Sequence, residues 1–155
     1  MSKDDLSQAM NLVRVEGGGH FAGPRSSELV ELAENALGVR FPPSYREFVE
    51  LYGAGSFGAR EFYGVTTDEF VSASIPNAIW ITLDERRTSS LPLAFVIIGD
   101  AGDGEYFVID TSLSGNDSES PVRTWSPALG PGNVVAPDFG RHFLDEVNGE
   151  LVERS

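Results

Sequence analysis

The sequence predicts an α+β fold in a single domain, and three observations carry that prediction. Apolar residues recur at helical spacing toward both ends of the chain, the middle is β-rich with one legible hairpin, and 155 residues suit one domain. A chain of this size buries roughly two-thirds of its unfolded surface around a core. With 41% hydrophobic residues the composition is globular, so disordered and fibrous classes drop out.

The elements follow in order. Residues 3–16 read as a first helix, with Gly17-Gly18-Gly19 as a joint to the rest. Leu29, Leu32, Ala33, Ala36 and Leu37 fall at helical spacing, with Ser26 or Ser27 as N-cap, Gly38 at the end, and Glu28, Glu31 and Glu34 on the wet face. A further helix starts at Pro43, buries Tyr45, Phe48, Val49 and Tyr52, and stops at Gly53. Phe62-Tyr63-Gly64-Val65 reads as a strand leaving a glycine-rich turn. Residues 77–87 admit two readings. Their β-branched side chains suit a strand, but Asn77 as cap and the charged ending suit a helix, which is preferred. Residues 93–99 form a continuous apolar strand, 100–104 carry turn signals, and 106–110 resume the strand, which makes a hairpin. Residues 122–125 can add a neighbour, and 112–120 read as an exposed turn. Asp138 caps a last helix in which Phe139, Phe143, Val147 and Leu151 share a stripe.

Charge narrows the function. There are 24 acidic and 11 basic side chains, a formal net charge of −13, and Lys3 is the only lysine. Direct binding of nucleic acid is disfavoured, because such sites gain affinity from Lys and Arg neutralising phosphates. Without cysteine, disulfide scaffolds, thiolate metal sites and cysteine nucleophiles are excluded. No apolar run is long enough to span a membrane and no signal-peptide pattern opens the chain, so the expected compartment is the cytoplasm.

The candidate chemical motifs fail on context. Gly53-Ala54-Gly55-Ser56-Phe57-Gly58 fits G-x-G-x-x-G, but it follows a helix and precedes a strand, the inverse of a dinucleotide turn. It reads as a helix C-cap and loop. Asp100, Asp103, Glu105 and Asp110 are dense, yet Gly102 occupies a position where a calcium loop needs an oxygen ligand. His20 and His142 are the only histidines, the first in a mobile glycine-rich segment and the second a surface or half-buried helix residue. Ser56 has Ala54 where a nucleophile elbow needs glycine. Asn116-Asp117-Ser118 matches a glycosylation acceptor, but without a secretion signal it is a loop. No cofactor, metal or catalytic group is expected.

Between Arg87 and Arg123 no basic residue occurs, while Asp100, Asp103, Glu105, Asp110, Asp117 and Glu119 do. If these share a face, its one-sign field speeds encounter with a basic partner. The competing account is that acidity keeps the protein soluble.

The run Ala36-Leu37-Gly38-Val39-Arg40-Phe41-Pro42-Pro43-Ser44-Tyr45-Arg46-Glu47-Phe48, followed by Leu51-Tyr52-Gly53, resembles the core motif of the SUKH superfamily. Its best-known branch is similar to a yeast cell-wall assembly regulator. Phe62-Tyr63-Gly64-Val65, Leu91-Pro92 before an apolar strand, the hairpin from Gly99-Asp100 to Ile109-Asp110 and the helix 139–144 also look like that family. The resemblance covers residues 26–147. It implies a curved, mainly antiparallel sheet packed with helices, with Tyr45, Phe48 and Leu51 as packing residues, and it implies no enzyme. Bacterial members are implied to be immunity proteins that neutralise toxins, and eukaryotic relatives interaction hubs.

The resulting expectation is an immunity protein that occludes the active or substrate-binding surface of a cognate toxin. If that toxin is a nuclease, its groove is basic and an acidic face competes for it. Asp100, Asp103 and Glu105 are the candidate steering residues, with Glu61, Asp68 and Glu69 as a second patch and exposed aromatics as the affinity anchors. The alternative is a non-enzymatic interaction or regulatory scaffold module.

Overall fold

Five helices and seven strands run through the computed structural model, which describes residues 2–70 and 77–155. In chain order they are α1 (Ser2–Glu16), β1 (Gly19–Phe21), α2 (Ser27–Leu37), α3 (Pro43–Tyr52), β2 (Gly55–Phe57), β3 (Arg60–Phe62), α4 (Ala78–Ser89), β4 (Phe95–Gly102), β5 (Glu105–Asp110), β6 (Val122–Ser126), β7 (Gly130–Ala136) and α5 (Phe139–Arg154). The architecture is α+β. The strands form two antiparallel sheets, β1-β2-β3 and β4-β5-β6-β7. The Tyr63 amide joins them by donating to the Ile98 carbonyl at 2.8 Å.

Most helix ends follow from local chemistry. Ser26 Oγ accepts the Leu29 amide, and Gly38 closes α2 in the left-handed region at φ 69°. Asn77 Oδ1 accepts the amides of Ile79 and Trp80 at 2.9 and 3.1 Å, which settles residues 77–87 as helical. That segment was ambiguous because α4 is buried on two sides: Ile79 enters the main core, while Ala78 and Ile81 enter a second one. Asp138 Oδ1 accepts the Arg141 amide and starts α5.

The buried face of α2 is rotated from the expected one. Val30, Ala33 and Leu37 are buried, whereas Leu32 and Ala36 are exposed. Glu34 is buried rather than wet, because its carboxylate accepts from the Phe41 amide at 2.7 Å and from Arg46 Nη1 at 2.6 Å. Leu51 is likewise exposed on α3, leaving the packing there to Tyr45, Phe48 and Val49.

The large sheet lies between the two cores. Val96, Ile98, Ile109 and Val122 face a cluster shared with α1, α2, α3 and α5, while Phe95, Ile97, Val108 and Trp125 face α4. Burial on both faces explains why β4 reads as an unbroken apolar run. Strand β4 extends to Gly102, further than the turn signals indicate. The turn itself is Asp103-Gly104, whose φ values of 54° and 80° define the type I′ geometry that tight hairpins favour.

Three strands were not anticipated. β1 and β2 occupy segments expected to be a joint and a loop, and β7 begins with Gly130-Pro131-Gly132. His20 is paired with Ser56 in β1 rather than sitting in a mobile segment. The strand expected at residues 62–65 ends at Phe62, because Tyr63 turns to the other sheet. Gly64 then packs so closely on the Gly53 carbonyl that any β-carbon would collide with it.

His142 is fully inside, against Phe107 at a ring-centroid distance of 4.5 Å. Burial pushes its pKa down to about 3. The unfolded chain therefore binds a proton that the folded chain refuses between pH 6.5 and 3. Stability from this residue is present above pH 6.5 and is lost as pH falls, by about 1.4 kcal/mol per pH unit at most. Urea unfolding of the parent and H142F across pH 4–7 should show the two curves converging, or crossing in favour of H142F, toward acid.

Candidate partner-binding surface

Where β3 meets β4 beside α5, a shallow open depression of about 320 Å³ forms, lined by Glu61, Asp100, Phe107, Glu146, Glu153 and Arg60 among others. Each side chain arrives from a different piece of local structure. Glu61 is the exposed residue of β3, between half-buried Arg60 and buried Phe62. Asp100 is the first exposed residue of β4 after five buried ones. Glu146, Glu150 and Glu153 project from one side of α5 by their i, i+4, i+7 spacing.

Arg60 anchors the floor. Its Nη1 lies 3.3 Å from Glu146 and its Nη2 2.6 Å from Glu153, while Nε lies 3.8 Å from Glu150 without a hydrogen-bond partner. Glu150 also accepts the Ala59 amide at 3.2 Å and Arg154 Nε at 3.3 Å. Arg154 in turn covers the Phe57 ring at 4.2 Å and donates to the Gly17 carbonyl. The α5 carboxylates are therefore held by arginines. Among the described residues, Glu61 and Asp100 form no ion pair; Asp100 Oδ1 accepts only the Gly102 amide, at 2.7 Å.

The negative field is felt nearby. Burial, with Glu61 and Asp100 adding to it, pushes Tyr63 up to about 12. Tyr106 is also pushed up to about 12, by burial and then by Glu85, which accepts its hydroxyl at 3.1 Å, with smaller contributions from Asp100 and Asp84. Burial raises Glu146 as well, against the opposing pull of Arg60.

The six sequence-selected residues are thus regrouped. Glu61 joins Asp100 at the seam, and Asp103 and Glu105 sit at the β4–β5 hairpin tip. Asp68 and Glu69 are exposed in the loop preceding Phe70, which lines a separate depression with Trp80, Leu83, Asp84 and Arg87. Asp110 and Glu119, counted in the one-sign stretch, are buried. Asp110 pairs with Arg123 at 3.1 Å, and Glu119 accepts from Ser44 and Ser2. The turn at 112–120 is correspondingly exposed only to Ser118.

Exposed aromatic anchors are absent among the described residues. Phe21, Tyr52, Phe70, Trp80, Tyr106 and Phe107 are half-buried, and every other aromatic side chain is buried. Sequence reasoning missed Arg60, Glu146 and Glu153. The only signal for the two glutamates was the acidic i, i+4, i+7 stripe on α5, which does not reveal what it faces, and Arg60 on β3 had none.

Among the described residues no cluster of three or more His, Asp or Glu side chains is arranged to hold a metal ion, and no helix is long and apolar enough to cross a membrane. A family model described as SUKH_6, SMI1-KNR4 cell-wall, matches residues 27–144. That span runs from the start of α2 into α5, so α1 lies outside it.

Proposed function

We propose, because this chain belongs to the SMI1-KNR4 cell-wall family of the SUKH superfamily, that it is an immunity protein for a cognate toxin. The family includes toxin-immunity proteins and is in general non-enzymatic. The observation that supports a binding role here is the seam, where Glu61 and Asp100 stand without an ion pair beside Glu146 and Glu153, which share the Arg60 guanidinium. Such a pair meets Lys or Arg of a partner without breaking an existing ion pair. Neutralisation follows by occlusion of the toxin's active or substrate-binding surface. A basic cleft, as in a nuclease, fits this charge best.

Co-expression with the toxin-like domain encoded beside the gene tests the reading. Survival together with a co-purifying one-to-one complex is the expected result. Continued killing with this protein folded and abundant rejects that pairing and puts an interaction or scaffold module first. Within the complex, E61K combined with D100K should slow association by about tenfold at low salt and flatten its salt dependence. An unchanged association rate would place the contact elsewhere.

A further inference from the structure

At the other end of β4 from Asp100, an open depression of about 650 Å³ lies between the start of α3 and the loop that follows β5. The chain has 24 acidic side chains, yet no carboxylate among the described residues lines this depression. Three stretches without an acidic residue meet there: 35–46, 86–99 and 111–116.

Its polar lining is rich in donors. Arg40 is exposed and, among the described residues, takes part in no ion pair or hydrogen bond. Glu31 and Glu34 line an adjoining depression that also includes Arg40. Glu34 is committed to Arg46 and the Phe41 amide, and Glu31 forms no ion pair. Ser114 and Ser118 add exposed hydroxyls. Ser120 is only 4% exposed, yet among the described residues its hydroxyl has no hydrogen-bond partner. A buried hydroxyl left unmatched costs free energy, and the open side from which this one can be matched is the depression. The apolar part of the lining is open as well. Leu93 is 73% exposed, and Leu113, beside Ser114 in the chain, is exposed too.

We propose that this depression receives a segment of a partner protein in which an aspartate or glutamate stands next to an apolar side chain. The carboxylate accepts from Arg40 and from the serine hydroxyls, Ser120 foremost, while the apolar side chain covers Leu93. Charge favours a carboxylate over a phosphate. One arginine balances one negative charge, and it would leave a phosphate of nearly two half-neutralised on an acidic protein. Openness favours a segment of a larger body over a free small molecule, whose sites enclose most of its surface. An exposed ion pair contributes little by itself, so the contact with Leu93 is needed too. Leu93 and Asp100 lie toward the two ends of β4, about 20 Å apart at the rise of an extended strand. Salt screens charges over about 8–10 Å, so this surface acts independently of the seam and with the opposite sign.

NMR titration of the isotope-labelled full chain with a capped pentapeptide, one glutamate between two leucines, tests this. Saturable shifts at the Arg40 Nε–H and at the amides around Leu93 and Ser120 are expected, with millimolar affinity. The glutamine counterpart binds about fivefold more weakly, and R40A binds both peptides alike. S120A loses about threefold in affinity while its urea midpoint does not fall, because the hydroxyl it removes bonds to nothing in the free protein. R14A, which removes an exposed arginine from α1, binds like the parent, and circular dichroism confirms that all three variants fold. No saturable shift here up to about 10 mM peptide overturns the proposal. So does equal binding of the two peptides by the parent, or an R40A that still prefers glutamate. A lowered midpoint for S120A with unchanged affinity also overturns it, since the hydroxyl is then structural. Inorganic phosphate that moves the same signals at lower concentration than the peptide assigns the site to phosphate instead. None of these outcomes bears on E61K and D100K, so immunity stands or falls separately.

Discussion

Replacing Phe48 by alanine is expected to cost about 4 kcal/mol of unfolding free energy, the largest single-residue effect in this chain. Phe48 is completely buried, and its ring meets those of Phe21, Tyr45, Tyr52, Phe62, Phe139 and Phe143 at centroid distances of 5.1 to 6.4 Å. Those neighbours come from β1, α3, β3 and α5. Collapse around the missing ring would have to move four elements at once, so the cavity stays and its cost adds to the lost transfer energy. Urea denaturation measures this as a lower midpoint at unchanged slope. F48L, which keeps most of the volume, should lose far less. A loss below about 2 kcal/mol for F48A would show that the aromatic cluster repacks.

Glu119→Ala is expected to cost about 2–3 kcal/mol at neutral pH. Helix α3 opens with Pro42 and Pro43, and no side chain of its own caps it. Glu119 supplies the cap from 75 residues away, accepting the Ser44 amide at 2.9 Å and the Ser44 hydroxyl at 3.0 Å. It also accepts the Ser2 hydroxyl at 2.8 Å, and Ser44 Oγ accepts the Gly140 amide, so one carboxylate ties the starts of α1, α3 and α5 together. Removing it leaves a buried amide without a partner, at about 1–3 kcal/mol. A counter-effect limits the loss: burial raises the Glu119 pKa, so its ionised form is already disfavoured in the folded state. The sign is that this carboxyl favours folding more as pH falls through its raised pKa, the reverse of His142. E119Q keeps one acceptor and should lose less than half as much as E119A. Faster amide exchange at Ser44 and Tyr45 in E119A would locate the damage at the start of α3; unchanged exchange would refute the cap.

Neither substitution touches the seam. F48A and E119A should therefore reduce toxin neutralisation only through the folded fraction, whereas E61K with D100K should reduce it in a fully folded protein.

What the sequence by itself determined is whatever rests on neighbours within a few residues. The Ser26, Asn77 and Asp138 caps, the Pro43 start and Gly53 stop of α3, the presence of a hairpin with its turn within residues 100–104, and the stripe on α5 all act over one or two turns of chain. The family motif belongs here too: its Pro43, Tyr45 and Phe48 start a helix and fill a core. Net charge was legible for the same reason, since it needs no geometry. What only the tertiary structure decided rests on distant partners. β1, β2 and β7 are short or glycine-rich, and their backbone hydrogen bonds come from strands elsewhere in the chain. Glu34, Asp110 and Glu119 read as solvated carboxylates until Arg46, Arg123 and Ser44 are placed against them. The candidate surface is of the same kind. Glu61, Asp100 and Glu153 become neighbours only when β3, β4 and α5 are brought together, because a charge acts through space and its range does not follow the chain.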